Sequence, residues 1–257
     1  MKTKSDIVNN WLPRYTGMPL EKFEDYILLV NFTHYVDLFA KKFGVDIYGQ
    51  NLSMQCATAE KITIINFGMG SANSATIMDL LTAVKPKACL FLGKCGGLKM
   101  KKNNVGDMIL PIAAIRGEGT SNDYFPPEVP ALPAFALQKA MSTTIRDYAK
   151  DYWTGTVYTT NRRVWEFDIK FKKYLNQIRA LAIDMETATL FSVGFHNGIP
   201  TGALLLVSDM PMVPEGVKTS HSDVAVTGTY AETHLDIGID SLRQLIHEKL
   251  TVKHLKF

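Results

Sequence analysis

The chain has 257 residues, 46% of them apolar and 21% charged, and 28 Lys+Arg against 25 Asp+Glu give a formal net charge of +3. That composition excludes disorder and collagen-like repetition, and a charge so near balance is no electrostatic signature of a nucleic-acid binder. No linker, repeat or low-complexity tract divides the chain, so residues 1–257 read as one domain of ordinary size for an α/β unit.

The opening segment, MKTKSDIVNNWLPRYTG, has two lysines but no apolar stretch behind them, and does not read as a secretory signal. The densest aliphatic run, residues 203–207, falls far short of the roughly 18 apolar residues of a membrane helix. Cys56, Cys89 and Cys95 are an odd, sparse set without a CxxC pair, which fits a reducing compartment better than a disulfide framework. A cytoplasmic protein with no membrane association is the expectation.

In chain order, YILLVN (26–31) predicts a buried strand, followed by a helix through Val36, Leu38, Phe39 and Ala40 that Gly44 stops. KITIINF (61–67) predicts a second strand, which runs through Gly68-Met69-Gly70 into a helix over 71–84. ACLFLG (88–93) is another strand, ending in a glycine-rich segment. Residues 107–116 are strand-like, 117–130 form a long proline-bearing loop, and 132–150 a helix. Residues 154–160 predict a strand, and LAIDM (181–185) a short one that turns directly into a helix to about Phe195. GALLLVS (202–208) is the most apolar strand, and a long helix over 227–249 finishes the fold.

Such alternation predicts a three-layer α/β/α architecture around a central mixed sheet. Polar residues gather where strands end, at Asn31, 68–71, 93–97, 184–186 and 208–209. Ligands in such folds bind at the carboxyl ends of strands, so these five segments predict one pocket.

Each cluster has a local reading and a chemical one. Gly68-Met69-Gly70 is either a tight turn or a loop whose N–H groups approach an anion or a sugar. It lacks the third glycine, and the acidic residue about 20 positions on, of a dinucleotide fingerprint. Gly93-Lys94-Cys95-Gly96-Gly97 reads as a flexible strand exit, either a solvated turn or a place where Lys94 meets a phosphate. Lys99, Lys101 and Lys102 behind it read as exposed loop charge. Asp184 is a sound N-cap and Glu186 suits the positive end of a helix dipole; alternatively they put a carboxylate on a pocket floor. Asp209 is a turn residue before an X-Pro step, or an acid whose pKa desolvation raises. The histidines (34, 196, 221, 234, 247, 254) have no HxxxH or HExxH spacing, and no GxxxxGK[ST] or GxSxG motif occurs. Zinc, kinase, NTPase and α/β-hydrolase readings drop out.

Taken together and in this order, the segments resemble the nucleoside phosphorylase/nucleosidase superfamily. DMETATL (184–190) is similar to its (E/D)MESATL signature, VSDMP (207–211) to its SDxP element, and residues 117–135 to the GTSxxF-P segment of uridine phosphorylases. LPRYTG (12–17), ILLVNFTHYVDLFA (27–40), LGKCGGLK (92–99), TGTVYTT (154–160) and SDMPMVPEGVK (208–218) narrow the resemblance to its AMP nucleosidase branch. Some of that branch carry a further N-terminal domain; a resemblance beginning near Leu12 implies a short form.

The resemblance implies a nucleoside phosphorylase-like fold, cleavage of AMP to adenine and ribose 5-phosphate, and neither cofactor nor metal. It implies that Met185 packs under the ribose, Glu186 binds its hydroxyls and Asp209 protonates purine N7. Gly68, Cys95, Gly96 and Ser208 would complete the pocket, Trp165 would stack on the base, and Lys94 would grip the 5′-phosphate. Arg116 or Arg162 and Arg163 would help, with Arg14 or Lys218 as further candidates. A homo-oligomer, hexamer or dimer, is implied too.

Two departures from the phosphorylase pattern point to hydrolysis. Tyr35 and Phe91 stand where that pattern puts phosphate-binding arginines, and the loss of two guanidiniums weakens the hold on a free dianion. A purine nucleoside or uridine phosphorylase is the alternative enzyme, and a non-catalytic nucleotide-binding protein the alternative of another class.

Overall fold

Aliphatic runs without polar alternation are accommodated where both faces of a strand are covered, and here such runs lie side by side in one sheet. The protein is seen in a computed structural model that describes residues 2–99 and 103–248. Lys101 and Lys102 of the expected loop, Lys249 at the expected helix end and His254 lie outside the described residues. The elements run α1 (Lys4–Thr16), β1 (Tyr26–Val30), α2 (Thr33–Phe43), β2 (Gln55–Ala59), β3 (Ile62–Asn66), α3 (Ser71–Leu80), β4 (Ala88–Gly97) and β5 (Met108–Gly117). They continue with α4 (Phe135–Asp147), β6 (Tyr152–Thr160), α5 (Ile169–Gln177), β7 (Ala182–Asp184), α6 (Thr187–His196), β8 (Thr201–Asp209) and α7 (Ser220–Glu248).

The strands make one mixed sheet in the order β2-β3-β1-β4-β7-β6-β5-β8, and β8 also pairs in parallel with β4. That extra pairing closes β4, β7, β6, β5 and β8 into a ring. On β4, Cys89 and Phe91 face a core filled by α1, α3 and α6 through Leu12, Met78 and Phe191. Leu90 and Leu92 face a second core filled by α2, α4 and α7 through Phe39, Met141 and Leu235. These are the three layers the sequence predicts. The same alternation turns Lys94 toward α7.

Three elements left no strong mark in the sequence. A capping box between Thr3 and Asp6 starts α1, and Gly17 (φ 69°) stops it. A two-residue turn at Glu60 and Lys61, both at positive φ (50° and 67°), joins β2 to β3; such turns usually carry Asn-Gly. Asp168 caps α5 by accepting from the Phe171 N–H at 3.0 Å. Further on, α7 begins at Ser220 rather than near Thr227, because Thr219 and Ser222 cap each other at 2.9 and 3.1 Å.

The largest correction concerns residues 93–97. Instead of a flexible exit they are the second half of β4, buried throughout, with 93–96 paired to β8 and 96–97 to β7. Lys94 and Cys95 oppose Leu206 and Val207 of β8, while Gly96 opposes Ile183 of β7. The glycines provide room rather than mobility. A Cβ on Gly96 would lie 2.8 Å from Pro211 Cγ and 3.2 Å from Ile183 Cγ2, and one on Gly97 2.7 Å from Met210 Sδ. Gly96→Val is therefore expected to cost about 1–3 kcal/mol by overpacking. In a thermal melt that lowers Tm by roughly 2–12 °C; an unchanged Tm would contradict this packing.

Candidate active site

The five strand ends open on one cleft of about 160 Å³, a hollow at the carboxyl ends of the strands where ligands of such folds bind. Asn31 and Phe32 follow β1, Met69 comes from the β3–α3 turn, and Lys94, Cys95 and Gly96 from β4. Arg162, Arg163, Trp165 and Glu166 follow β6, while Met185, Glu186, Ser208 and Asp209 come from the ends of β7 and β8. Lys218 and Asp223 complete the wall beside α7.

Glu186 occupies the first position before α6, with φ −130° and ψ −40°, and turns its side chain away from the helix. Oε1 accepts from the Gly70 N–H at 2.7 Å and Oε2 from the Met185 N–H at 3.2 Å; the Asn31 side chain adds a third bond. Thus the Gly68-Met69-Gly70 turn does offer an N–H to an anion, and the anion is the protein's own carboxylate. Gly70 reaches it at φ 94°, a conformation that favours glycine. Gly68 lies outside the cleft lining, its N–H bonded to Asn66 Oδ1 at 3.1 Å.

Asp184 is buried beside Glu186. Its Oδ1 accepts from Thr159 Oγ1 at 2.7 Å and its Oδ2 from the Thr187 N–H at 2.8 Å, which caps α6. Burial and the neighbouring Asp184 charge push Glu186 well above the usual carboxylate range.

Asp209 is aimed by a register slip. Cys95 opposes Val207 but Gly96 opposes Asp209, so Ser208 is an extra residue on β8, a bulge that redirects the next side chain. Asp209 Oδ1 accepts from Ser208 Oγ at 2.8 Å, and Lys218 Nζ lies 3.7 Å away. Burial raises the Asp209 pKa, and the Lys218 charge opposes the rise without cancelling it.

The cations differ in availability. Lys94 has only 3% of its side chain exposed. Its Nζ donates to Thr227 Oγ1 at 2.6 Å, pairs with Asp223 at 3.0 Å and lies 4.4 Å from the Phe32 ring centroid. Lys218 lies 3.6 Å from the same Asp223 carboxylate. Arg162 pairs with Asp168 at 2.8 Å, and Arg163 reaches Glu166 only at 3.4 Å with 55% of its side chain exposed. Arg116 does not reach the cleft: its guanidinium donates to Ser121, Asn122, Phe125, Pro126 and Val129, and so shapes the proline-bearing loop. Arg14 lies elsewhere too, lining a separate hollow with Asn51 and Ser53.

Trp165 touches the cleft but is 4% exposed, packed edge-on against Phe171 at 5.4 Å. Tyr35 is buried, its hydroxyl 2.9 Å from His234 Nδ1, while His234 Nε2 lies 3.1 Å from Leu204 O. The carbonyl accepts only, so Nε2 carries the proton and Tyr35 donates to Nδ1. Burial holds His234 down at about 4 and therefore neutral. Phe91 is fully buried against Phe67 at 5.7 Å. Asp223 and Glu166 line the cleft without having been singled out in the sequence. The legible signal for Asp223 was its helical spacing with Thr227, Ala231 and Leu235.

A family model described as the phosphorylase superfamily matches residues 16–241. AMP nucleosidase of Escherichia coli (strain K12) is 30% identical over 278 residues, covering 90% of this chain and 57% of the relative. The chain therefore spans little more than half the length of that protein. Guanosine phosphorylase of Halorubrum lacusprofundi is 30% identical over 162 residues, covering 63% of this chain and 66% of its own. Among solved structures, AMP nucleosidase from Bacteroides thetaiotaomicron VPI-5482 is similar at a TM-score of 0.87 and 58% identity, covering 96% of this chain and 99% of that one. Uridine phosphorylase from Vibrio fischeri ES114 is similar at a TM-score of 0.77 and 21% identity, covering 88% and 94%, a likeness of fold.

Thr159 Oγ1 donates to Asp184 and accepts from the Ala188 N–H at 2.9 Å, so it serves the carboxylate and the start of α6 together. Thr159→Val keeps the shape and leaves both groups short of a partner. An expected loss of about 1–3 kcal/mol is readable as a lower urea midpoint; an unchanged midpoint would remove Thr159 from this network.

Proposed function

The chain belongs to the phosphorylase superfamily, and we propose that within it this chain hydrolyses the N-glycosidic bond of AMP to give adenine and ribose 5-phosphate. The observation that carries the choice of hydrolysis is the state of two positions. Where the phosphorylase pattern has arginines, this protein has the buried, neutral Tyr35–His234 pair and the fully buried Phe91. The 58% identity to the Bacteroides AMP nucleosidase supports AMP as the substrate.

The ribose lies over Met185, with its 2′- and 3′-hydroxyls donating to the ionised form of Glu186, the minor form near neutral pH in the free protein because burial and Asp184 push its pKa up to about 8. Asp209 gives its proton to N7 as the C1′–N9 bond breaks, and the bonding electrons leave with neutral adenine. The ribosyl group then carries oxocarbenium-like charge, which the buried Glu186 carboxylate stabilises in a setting of low polarisability. Water adds to C1′ and yields one proton, which restores the acid form of Asp209. The 5′-phosphate is assigned to the cations with exposed donors, Arg162, Arg163 and Lys218. Lys94 is already occupied by Asp223 and Thr227, and Arg116 belongs to its loop. Trp165 offers an edge to the base. A homo-oligomer, as a hexamer or dimer, and a cytoplasmic role in purine salvage complete the reading; they rest on the family resemblance and the composition.

Asp209→Asn is expected to lower kcat for adenine release by about 10²–10⁴-fold with KM little changed. A near-wild-type kcat would remove Asp209 from the acid role. Glu186→Gln is expected to lower kcat and raise KM together, and an unchanged KM would contradict its hold on the ribose. Activity needs Asp209 protonated and Glu186 ionised. The rate therefore falls as pH rises through the Asp209 pKa and as pH falls through that of Glu186. Burial raises both, so the kcat/KM profile is expected to sit above the ordinary carboxylate range; an acid limb at an ordinary glutamate pKa would contradict the Glu186 assignment.

A further inference from the structure

We propose that Asp223 is an internal counter-anion that keeps inorganic phosphate and other free dianions off Lys94, and so leaves water as the nucleophile of the site. The inference rests on the reading of this cleft as the nucleotide site. Lys94 is a cation deep in its wall, with 3% of its side chain exposed against 37% for Asp223. Its ammonium is already occupied by the Asp223 carboxylate at 3.0 Å, Thr227 Oγ1 at 2.6 Å and the face of Phe32 at 4.4 Å. What faces an anion entering from the cleft is therefore the carboxylate rather than the ammonium behind it. Lys218, at 3.6 Å, adds its charge to the same carboxylate. Partial burial works against ionisation of Asp223, but Lys94 and Lys218 outweigh it and hold the carboxyl below its usual range, so it stays charged.

The wall behind Lys94 supplies no compensating charge. Tyr35 and His234 bond to each other, and burial keeps both neutral. A dianion placed against Lys94 would meet like charge on Asp223 at close range, in a setting where such repulsion is strong. The helix geometry makes the arrangement rigid: Asp223 and Thr227 stand one turn apart at the start of α7, and Thr227 Oγ1 donates back to the Asp223 carbonyl at 2.7 Å. Asp223 is thus a specificity residue, which acts by occupying a cation rather than by touching the reacting atoms.

The test is a titration of inorganic phosphate, followed by calorimetry and phosphorus NMR line width, into the full chain without AMP. Wild type, Asp223→Asn, Lys94→Met and the double variant are compared. Asp223→Asn is expected to bind phosphate at least tenfold more tightly than wild type, and the gain is expected to vanish in the double variant. Equal affinity in wild type and Asp223→Asn would overturn the proposal. So would an equal gain in the Lys94→Met background, which would show a general field effect rather than release of Lys94. Asp223→Ser keeps an acceptor for Lys94 without the charge and carries the same expectation should the asparagine variant melt early. A merely structural ion pair would change the melting temperature and leave phosphate affinity unmoved. Because AMP is absent, failure of the nucleosidase reading shows separately, as no adenine release from wild type.

Discussion

Two buried carboxylates side by side are expensive to desolvate, and the architecture around β7 and α6 is organised to satisfy them. Glu186 takes N–H groups from Gly70 and Met185, and Asp184 takes donors from Thr159 and Thr187. Those donors come from the β3–α3 turn, the end of β6 and the β7–α6 junction. One buried carboxyl pair thereby ties three chain segments into the cleft floor. Glu186 gains a fixed position, its two oxygens held by the Gly70 and Met185 N–H groups.

The opposite wall follows from how β4 and β8 pair. Carrying β4 through Gly97 brings its buried glycines against Pro211 and Met210, and the bulge at Ser208 turns Asp209 into the cleft. The same strand sends Lys94 the other way, toward α7, because side chains alternate. Acid and buried cation are thus separated by strand geometry, with Lys218 between them at 3.7 Å from Asp209 and 3.6 Å from Asp223.

Much of this was legible in the sequence. Aliphatic runs punctuated by glycine and helix-period segments were enough for the layered fold, and the strand-end rule located the segments that meet. What escaped had physical causes. Glycines at 93, 96 and 97 look like flexibility in a sequence, yet here they are small residues in a crowded strand. Glu60-Lys61 carries no turn signal although both residues adopt positive φ. Lys94 and Arg116 were legible as cations, but their partners are far away in sequence or in an irregular loop, and charge alone does not say what it is paired with. Asp223 lies in a polar helix start whose apolar face begins only at Val226, so its part in the cleft depended on tertiary packing.

The central claim is that water, not phosphate, accepts the ribosyl group of AMP. The most direct measurement is to incubate the chain with AMP, with and without inorganic phosphate and with adenosine in parallel, and to identify products by chromatography and phosphorus NMR. Adenine and ribose 5-phosphate formed from AMP without phosphate is the expected result. Ribose 1-phosphate formed from adenosine only when phosphate is added would contradict it.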